Sequence, residues 1–324
     1  MKAMVCEAFG GPEVLALREV ADPPQPGPGE VQLRLRARGV QYVDVLMLAG
    51  KYQFRPEPPF IPGSEAAGDV LAVGPGVTRF RPGDLVMSRH RLGAFAERAN
   101  APADACEPIP HGLSLEQAGV FRAAYATAYH ALLQRGRLAA GEWVLIHGAA
   151  GGIGIAAIQI AKLFGANVIA TASNETKRTA CLEEGANHAI DYRSGFLDQV
   201  KSLTDGRGVD IAYDPIGASV TAESLRCLAW GGRLLILGFL GGEPASIRSN
   251  YLLIKGIEAV GVRIGGLQDN NPTLAQTNAR TLATLAAEGK LRPRISHRLP
   301  LSQAAAAIQA VIDRAVIGKA VLVG

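Results

Sequence analysis

The stretch "VLIHGAAGGIGIAAIQIAK", Val144–Lys162, carries the pattern with the most evident chemistry. Gly148, Gly151, Gly152 and Gly154, with Ala150 and Ile153 among them, follow an apolar strand and open a helical run. Backbone N–H groups at a helix start lack partners and carry partial positive charge, so an anion can rest there. Glycines let the backbone approach a diphosphate and let strand and helix pack closely. The spacing, Gly-x-x-Gly-Gly-x-Gly, is a variant of the dinucleotide fingerprint. The next strand bears on which dinucleotide. A site for NAD commonly ends that strand with Asp or Glu for the ribose 2′-hydroxyl. Here it ends in "IATASNETKR", with no acid before Glu175. Ser173 and Asn174 can donate hydrogen bonds, and Lys177 or Arg178 can supply charge, so the pattern favours NADPH.

These residues need elements to hold them. From Trp143 onward the chain alternates apolar strands ("EWVLIHG", "ANVIATAS", "HAIDY", "GVDIAYDPIG", "RLLILGFLGG") with helical segments. That alternation predicts a parallel sheet covered on both faces. Ligands of such sheets sit beyond the C-terminal ends of the strands, which points to Gly217, Gly238 and Phe239 as borders of the ribose and nicotinamide. Residues 1 to about 110 differ. "EVQLRLRARGV" (Glu30–Val40) alternates apolar and polar as a half-buried strand does, and Pro-Gly turns separate further short strands. Ser114 and Gln117 form a capping box, predicting one helix from there to Gly136.

Composition removes several classes of function. The 324 residues are 48% hydrophobic and 19% charged, so burial is ample and disorder is not expected. Lys and Arg number 33 against 29 acids, a net charge of +4 with no dense basic run, so no nucleic-acid partner is indicated. The four cysteines are isolated, which predicts buried thiols rather than a metal knuckle or redox pair. No run of 18 apolar residues and no secretion signal is visible, giving the expectation of a cytoplasmic protein with no membrane partner.

Taken together, "GVQYVDVLMLAGKY", "PPFIPGSEAAGDVLAVGPGV", "RFRPGDLV", "GAAGGIGIAAIQIAK" and "NYLLIKGIEAVG" resemble the medium-chain dehydrogenase/reductase superfamily, in its zinc-free quinone oxidoreductase branch. The likeness covers essentially the whole chain. It implies an α/β fold in which a Rossmann doubly wound parallel sheet (residues 123–264) is inserted into a GroES-like β-rich catalytic domain (residues 1–122 and 265–324). It also implies NADPH and a homodimer paired along the last Rossmann strands. Zinc alcohol dehydrogenases carry Cys where this chain has Gln41 and His where it has Ser64, although Glu65 remains. No catalytic or structural metal is expected.

Without a Lewis acid, a conjugated acceptor suits hydride addition better than a simple ketone, because charge spreads to a distant oxygen that hydrogen bonds can stabilise. The expected acceptor is a quinone or enone. The resemblance implies Gln41, Asp44, Tyr52 and Thr127 as site residues. Asp44 either orients a water or caps a helix. Tyr52, in "GKY", is either a proton donor or an aromatic covering a loop. Thr127 matches a position beside the nicotinamide, and Tyr192 a tyrosine near the 2′-phosphate, with Arg193 able to add charge. Asn250, Arg263 and Lys319 are suggested by position alone. Reduction of 2-enoyl thioesters is the alternative within the superfamily. A non-catalytic NADPH-binding sensor or structural protein is the alternative outside it.

Overall fold

The computed structural model describes all 324 residues. Contacts divide the chain into two units, Met1–Ala123 with Ala283–Gly324, and Ala124–Leu282. Residues 265–282 therefore group with the second unit, where the sequence boundary had placed them with the first. Asn278 explains the difference: it exchanges hydrogen bonds with Gln134, a residue of the second unit, at 2.8 and 3.1 Å. No helix is long and apolar enough to cross a membrane.

The first unit is built on a mostly antiparallel sheet whose order is Ile295–Pro300, Lys319–Val323, Glu30–Val40, Glu65–Val73, Leu85–Arg89, Cys106–Pro108. The Arg98–Pro102 strand also pairs with Glu30–Val40. That central strand alternates as expected: Val31, Leu33, Leu35 and Ala37 are buried, while Arg34 and Arg36 face solvent. The alternation stops at Arg38, which is fully buried. Its guanidinium donates to the main-chain oxygens of Ala96 (2.9 Å), Gly324 (3.0 Å) and Leu35 (2.6 Å), and burial pulls its pKa down to about 10. Five donors in a planar fork let arginine satisfy three main-chain oxygens that no other side chain would reach together.

The helix expected from Ser114 to Gly136 is broken. Ser114 and Gln117 do form the reciprocal cap, at 3.0 and 3.1 Å. The helix then runs only over Leu115–Ala118, resumes over Arg122–Tyr129, and widens to a π-helical turn over His130–Arg135. The break falls at Gly119, where a Cβ would lie 2.8 Å from the Ala37 carbonyl oxygen. That close approach to the central strand requires glycine at this position, the C-cap of the first helical turn.

The second unit holds a six-stranded, wholly parallel sheet. Its order is His188–Asp191, Asn167–Ala172, Trp143–Ile146, Val209–Asp214, Leu228–Ile236, Glu258–Gly261. Numbered along the chain this is the doubly wound order 3-2-1-4-5-6. Val144, Leu145, Ile146, Val168, Ile169 and Ala170 are all fully buried, as strands covered on both faces must be. The helix Gly152–Leu163 turns Ile155, Ile158 and Ile160 into the core. The sixth strand, Glu258–Gly261, was not among the strands read from the sequence. It has four residues and three of them are exposed, so it carries neither an apolar run nor a clean alternation.

Candidate active site

The glycine turn is built for close approach. Gly148 has φ +59°, a left-handed conformation that glycine adopts without strain. A Cβ on Gly154 would lie 2.5 Å from the Gly148 oxygen and 2.6 Å from the Ala149 Cα, so only glycine fits there. At Gly151 a Cβ would meet nothing nearer than the Gly148 oxygen, at 3.3 Å. Gly151 is the N-cap of the 12-residue helix and no side chain caps it. Its first-turn N–H groups are thereby left for an anion.

The expected borders of the nicotinamide end also meet. Gly217 has φ +81°, and a Cβ there would come 3.0 Å from Phe239 Cδ1. Gly238 precedes Phe239, which is half exposed. The residue that shapes this turn, Asp214, was not anticipated. Its buried carboxylate accepts from the backbone N–H of Ile216 (2.8 Å) and Gly217 (3.0 Å), and from the Thr221 hydroxyl. An aspartate closing the fourth strand before Pro-Ile-Gly was the available signal.

The residues expected around a 2′-phosphate lie beyond the ends of the second and third strands. Asn174 caps the helix Glu175–Glu183, its Oδ1 accepting from the Lys177 N–H at 2.9 Å. Ser173 follows the last residue of the second strand. Tyr192 is partly buried and packs against the apolar core of this unit. No acid precedes Glu175 along the strand, but the fold brings one alongside it. Asp191, on the third strand, pairs in register with Ala172. Its carboxylate binds Arg193 and Arg178 together, and these arginines hold its pKa well below the usual carboxylate range.

In the first unit, Gln41 and Asp44 come together at the start of the helix Tyr42–Leu48. Gln41 Nε2 donates to Ser64 Oγ at 3.0 Å. Asp44 is fully buried, and its Oδ2 accepts from the Gln41 N–H at 2.8 Å, so it does cap the helix. Its Oδ1 is buried with no partner. Burial pushes the Asp44 pKa up to about 7, outweighing the Gln41 N–H and the nearby Lys319 charge, both of which pull it down. Beside it, Glu65 is 2% exposed and forms an ion pair with Lys319, Nζ to Oε1 3.1 Å. Glu65 Oε2 accepts from the Ala123 N–H at 3.0 Å. Nowhere do three or more His, Cys, Asp or Glu side chains gather as a metal site.

Comparison with known proteins fits this arrangement. Residues 152–280 match the zinc-binding dehydrogenase family, and residues 27–132 match the alcohol dehydrogenase GroES-like domain. Pig (Sus scrofa) quinone oxidoreductase is 35% identical over 99% of this chain and 97% of its own length. The chain belongs to the medium-chain dehydrogenase/reductase superfamily, in its quinone oxidoreductase branch. The quinone oxidoreductase-like protein 2 homolog of Nematostella vectensis is also 35% identical, over 99% of this chain and 88% of its own. The Escherichia coli quinone oxidoreductase, solved in complex with NADPH, superposes with a TM-score of 0.93 at 29% identity, covering both chains completely.

Within this reductase fold the four side chains expected to act on the acceptor come from three segments of the chain. Gln41 and Asp44 share one cluster with Ser64, Glu65 and Lys319. Tyr52 lies in the loop that follows their helix and is partly buried. Thr127 lies on the helix Arg122–Tyr129, within the second unit. Glu65 as the partner of Lys319, and Ser64 as the partner of Gln41, were not read from the sequence, because pairings 254 and 23 residues apart leave no local pattern.

Proposed function

We propose that this oxidoreductase is NADPH-dependent and passes reducing equivalents to quinones or related conjugated carbonyls without zinc. The observation that carries this reading is the Gln41–Ser64 hydrogen bond. Where a zinc enzyme needs a thiolate and an imidazole, this chain has an amide bonded to a hydroxyl. The remaining carboxylate, Glu65, already holds an ammonium group, whose charge would oppose a cation at that oxygen. The donor set does not fit zinc, although the matched family is named for it.

The residues do fit the dinucleotide. Gly148, Ala150, Gly151, Gly152, Ile153 and Gly154 would hold the diphosphate against the helix start. Ser173, Asn174, Lys177 and Tyr192 would surround the 2′-phosphate, and Gly217, Gly238 and Phe239 would border the nicotinamide. Bound there, reduced nicotinamide supplies a hydride. The chain's own part is to fix the acceptor and to meet the charge that builds on its oxygen. Ser64 Oγ accepts from Gln41 and so keeps its own proton to donate, and neutral donors held in place stabilise an oxyanion without reorganising. Tyr52 is the second candidate proton donor, and Thr127 a contact for the nicotinamide.

The test is oxidation of NADPH or NADH with a quinone, an enone, a saturated ketone and an enoyl thioester, before and after exhaustive chelation. We expect NADPH to be preferred. The quinone or enone should exceed the ketone by at least about tenfold in kcat/KM, which is 1.4 kcal/mol of transition-state stabilisation. Chelation should leave the rate unchanged. Ketone turnover lost on chelation would overturn the zinc-free reading. A dominant enoyl-thioester rate would replace the substrate class, and NADPH binding without any turnover would remove the enzymatic one.

We also propose a homodimer formed along the sixth strand. Glu258–Gly261 is a sheet edge with an unpaired side. Near it Trp230, Leu253 and Ile254 are 78%, 81% and 69% exposed, a large apolar surface for a monomer to show to water. Gly256 joins them, since a Cβ there would lie 3.1 Å from the Trp230 ring. Leu253→Asp with Ile254→Lys is expected to halve the mass seen by light scattering. A wild-type protein that is already monomeric, or a variant that stays dimeric, would refute this interface.

A further inference from the structure

The acid that an NAD site places at the end of its second strand is present in this fold, but on the neighbouring strand. Asp191 stands in register with Ala172, one residue before Ser173. Unlike the acid of an NAD site, it is not left for a ribose hydroxyl. Arg193 approaches it with Nε 3.0 Å from Oδ1 and Nη2 2.6 Å from Oδ2. The Arg193 backbone N–H also donates to Oδ1, at 3.0 Å. Arg178 donates from Nη1 to Oδ2 at 3.1 Å, and its Nη2 reaches Glu175 at 2.6 Å. Two guanidinium groups thus meet on one carboxylate at the place where a 2′-phosphate would arrive.

We propose that Asp191 sets the cofactor preference of this site: its carboxylate holds Arg178 and Arg193 while the site is empty, and a 2′-phosphate takes these arginines over on binding. This rests on the NADPH assignment above. Arginine is the side chain best suited to hand over, because its fork matches carboxylate and phosphate alike. The two arginines differ in freedom. Arg178 is 21% exposed and is held by two acids, whereas Arg193 is 65% exposed and can swing. Arg193 is therefore the group that moves, and Arg178 the fixed one.

The sign of the effect follows from what Asp191 does to a dianion. It competes for the same donors, and its charge repels the phosphate. Against these stands only its help in ordering the arginines, and exposed ion pairs contribute little to order. Competition and repulsion win. A carboxylate so placed keeps NADPH affinity below what the arginines could reach, and leaves NADH, which has no 2′-phosphate, unaffected.

The experiment is titration calorimetry with 2′,5′-ADP, 5′-ADP, NADPH and NADH on the wild type, Asp191→Asn and Arg193→Ala. Asparagine keeps the shape at a partly exposed position, and circular dichroism checks the fold. Asp191→Asn should tighten 2′,5′-ADP and NADPH by about 5-fold and leave 5′-ADP and NADH within about 2-fold. Arg193→Ala should weaken only the two phosphorylated ligands. Unchanged or weaker 2′,5′-ADP binding by Asp191→Asn would overturn the proposal. So would loss of NADH affinity, which would make Asp191 an acceptor for the ribose hydroxyl. A wild type that prefers 5′-ADP to 2′,5′-ADP would remove the NADPH assignment itself, and this proposal with it.

Discussion

Lys319→Met is expected to destabilise the first unit by about 3–5 kcal/mol, the cost of leaving a buried charge without its partner. Glu65 is 2% exposed, and Lys319 supplies the cation that faces its Oε1. Removing the ammonium leaves that buried oxygen without its donor, while Oε2 keeps the Ala123 N–H. The double variant Glu65→Gln with Lys319→Met should recover most of the loss, because a neutral amide oxygen can still accept from Ala123. Denaturant midpoints of the wild type, both single variants and the double variant form the cycle that measures the coupling. A single Lys319→Met change costing less than about 1 kcal/mol would show the pair to be no more than a surface-like contact.

The second large effect is in the pH dependence of stability. Asp44 has a pKa raised to about 7 in the folded chain, by burial. Unfolded, the group returns to the usual carboxylate range. The folded state then binds the proton more tightly between about pH 4 and pH 7. Its contribution to stability is full below the unfolded pKa and is lost as pH rises through the folded one. Three pH units correspond to about 4 kcal/mol over that interval. Asp44→Asn imitates the neutral acid at every pH. The melting temperatures of variant and wild type should be close at pH 4 and below and separate progressively up to about pH 7.5, with the variant higher. Parallel profiles would show that Asp44 does not hold a proton in the folded protein.

Much of this architecture was legible because its signals are local. A Gly-x-x-Gly-Gly-x-Gly turn between strand and helix states its own conformation, and Gly148 and Gly154 have the geometry that this pattern requires. The strand Glu30–Val40 alternated visibly, and the buried strands of the parallel sheet were continuous apolar runs. What escaped notice depends on partners distant in sequence. Arg38 reads as one more polar residue on a half-exposed strand until the main-chain oxygens of Ala96 and Gly324 close over it. Asp191 reads as the end of a short strand until the sheet sets it beside Ala172. The capping box at Ser114 was correctly readable, but Gly119 gave no warning that the helix would stop, because a single glycine is tolerated inside a helix. The sixth strand was too short and too exposed to announce itself.

The strand Lys319–Val323 lies between Ile295–Pro300 and Glu30–Val40. The first sheet can therefore be completed only once a segment almost 280 residues after Val40 has been made. The segment 124–282 has all six of its strands well before then and can fold while translation continues. Until Lys319–Val323 is in place, the strands made first wait with an open seam beside Glu30–Val40.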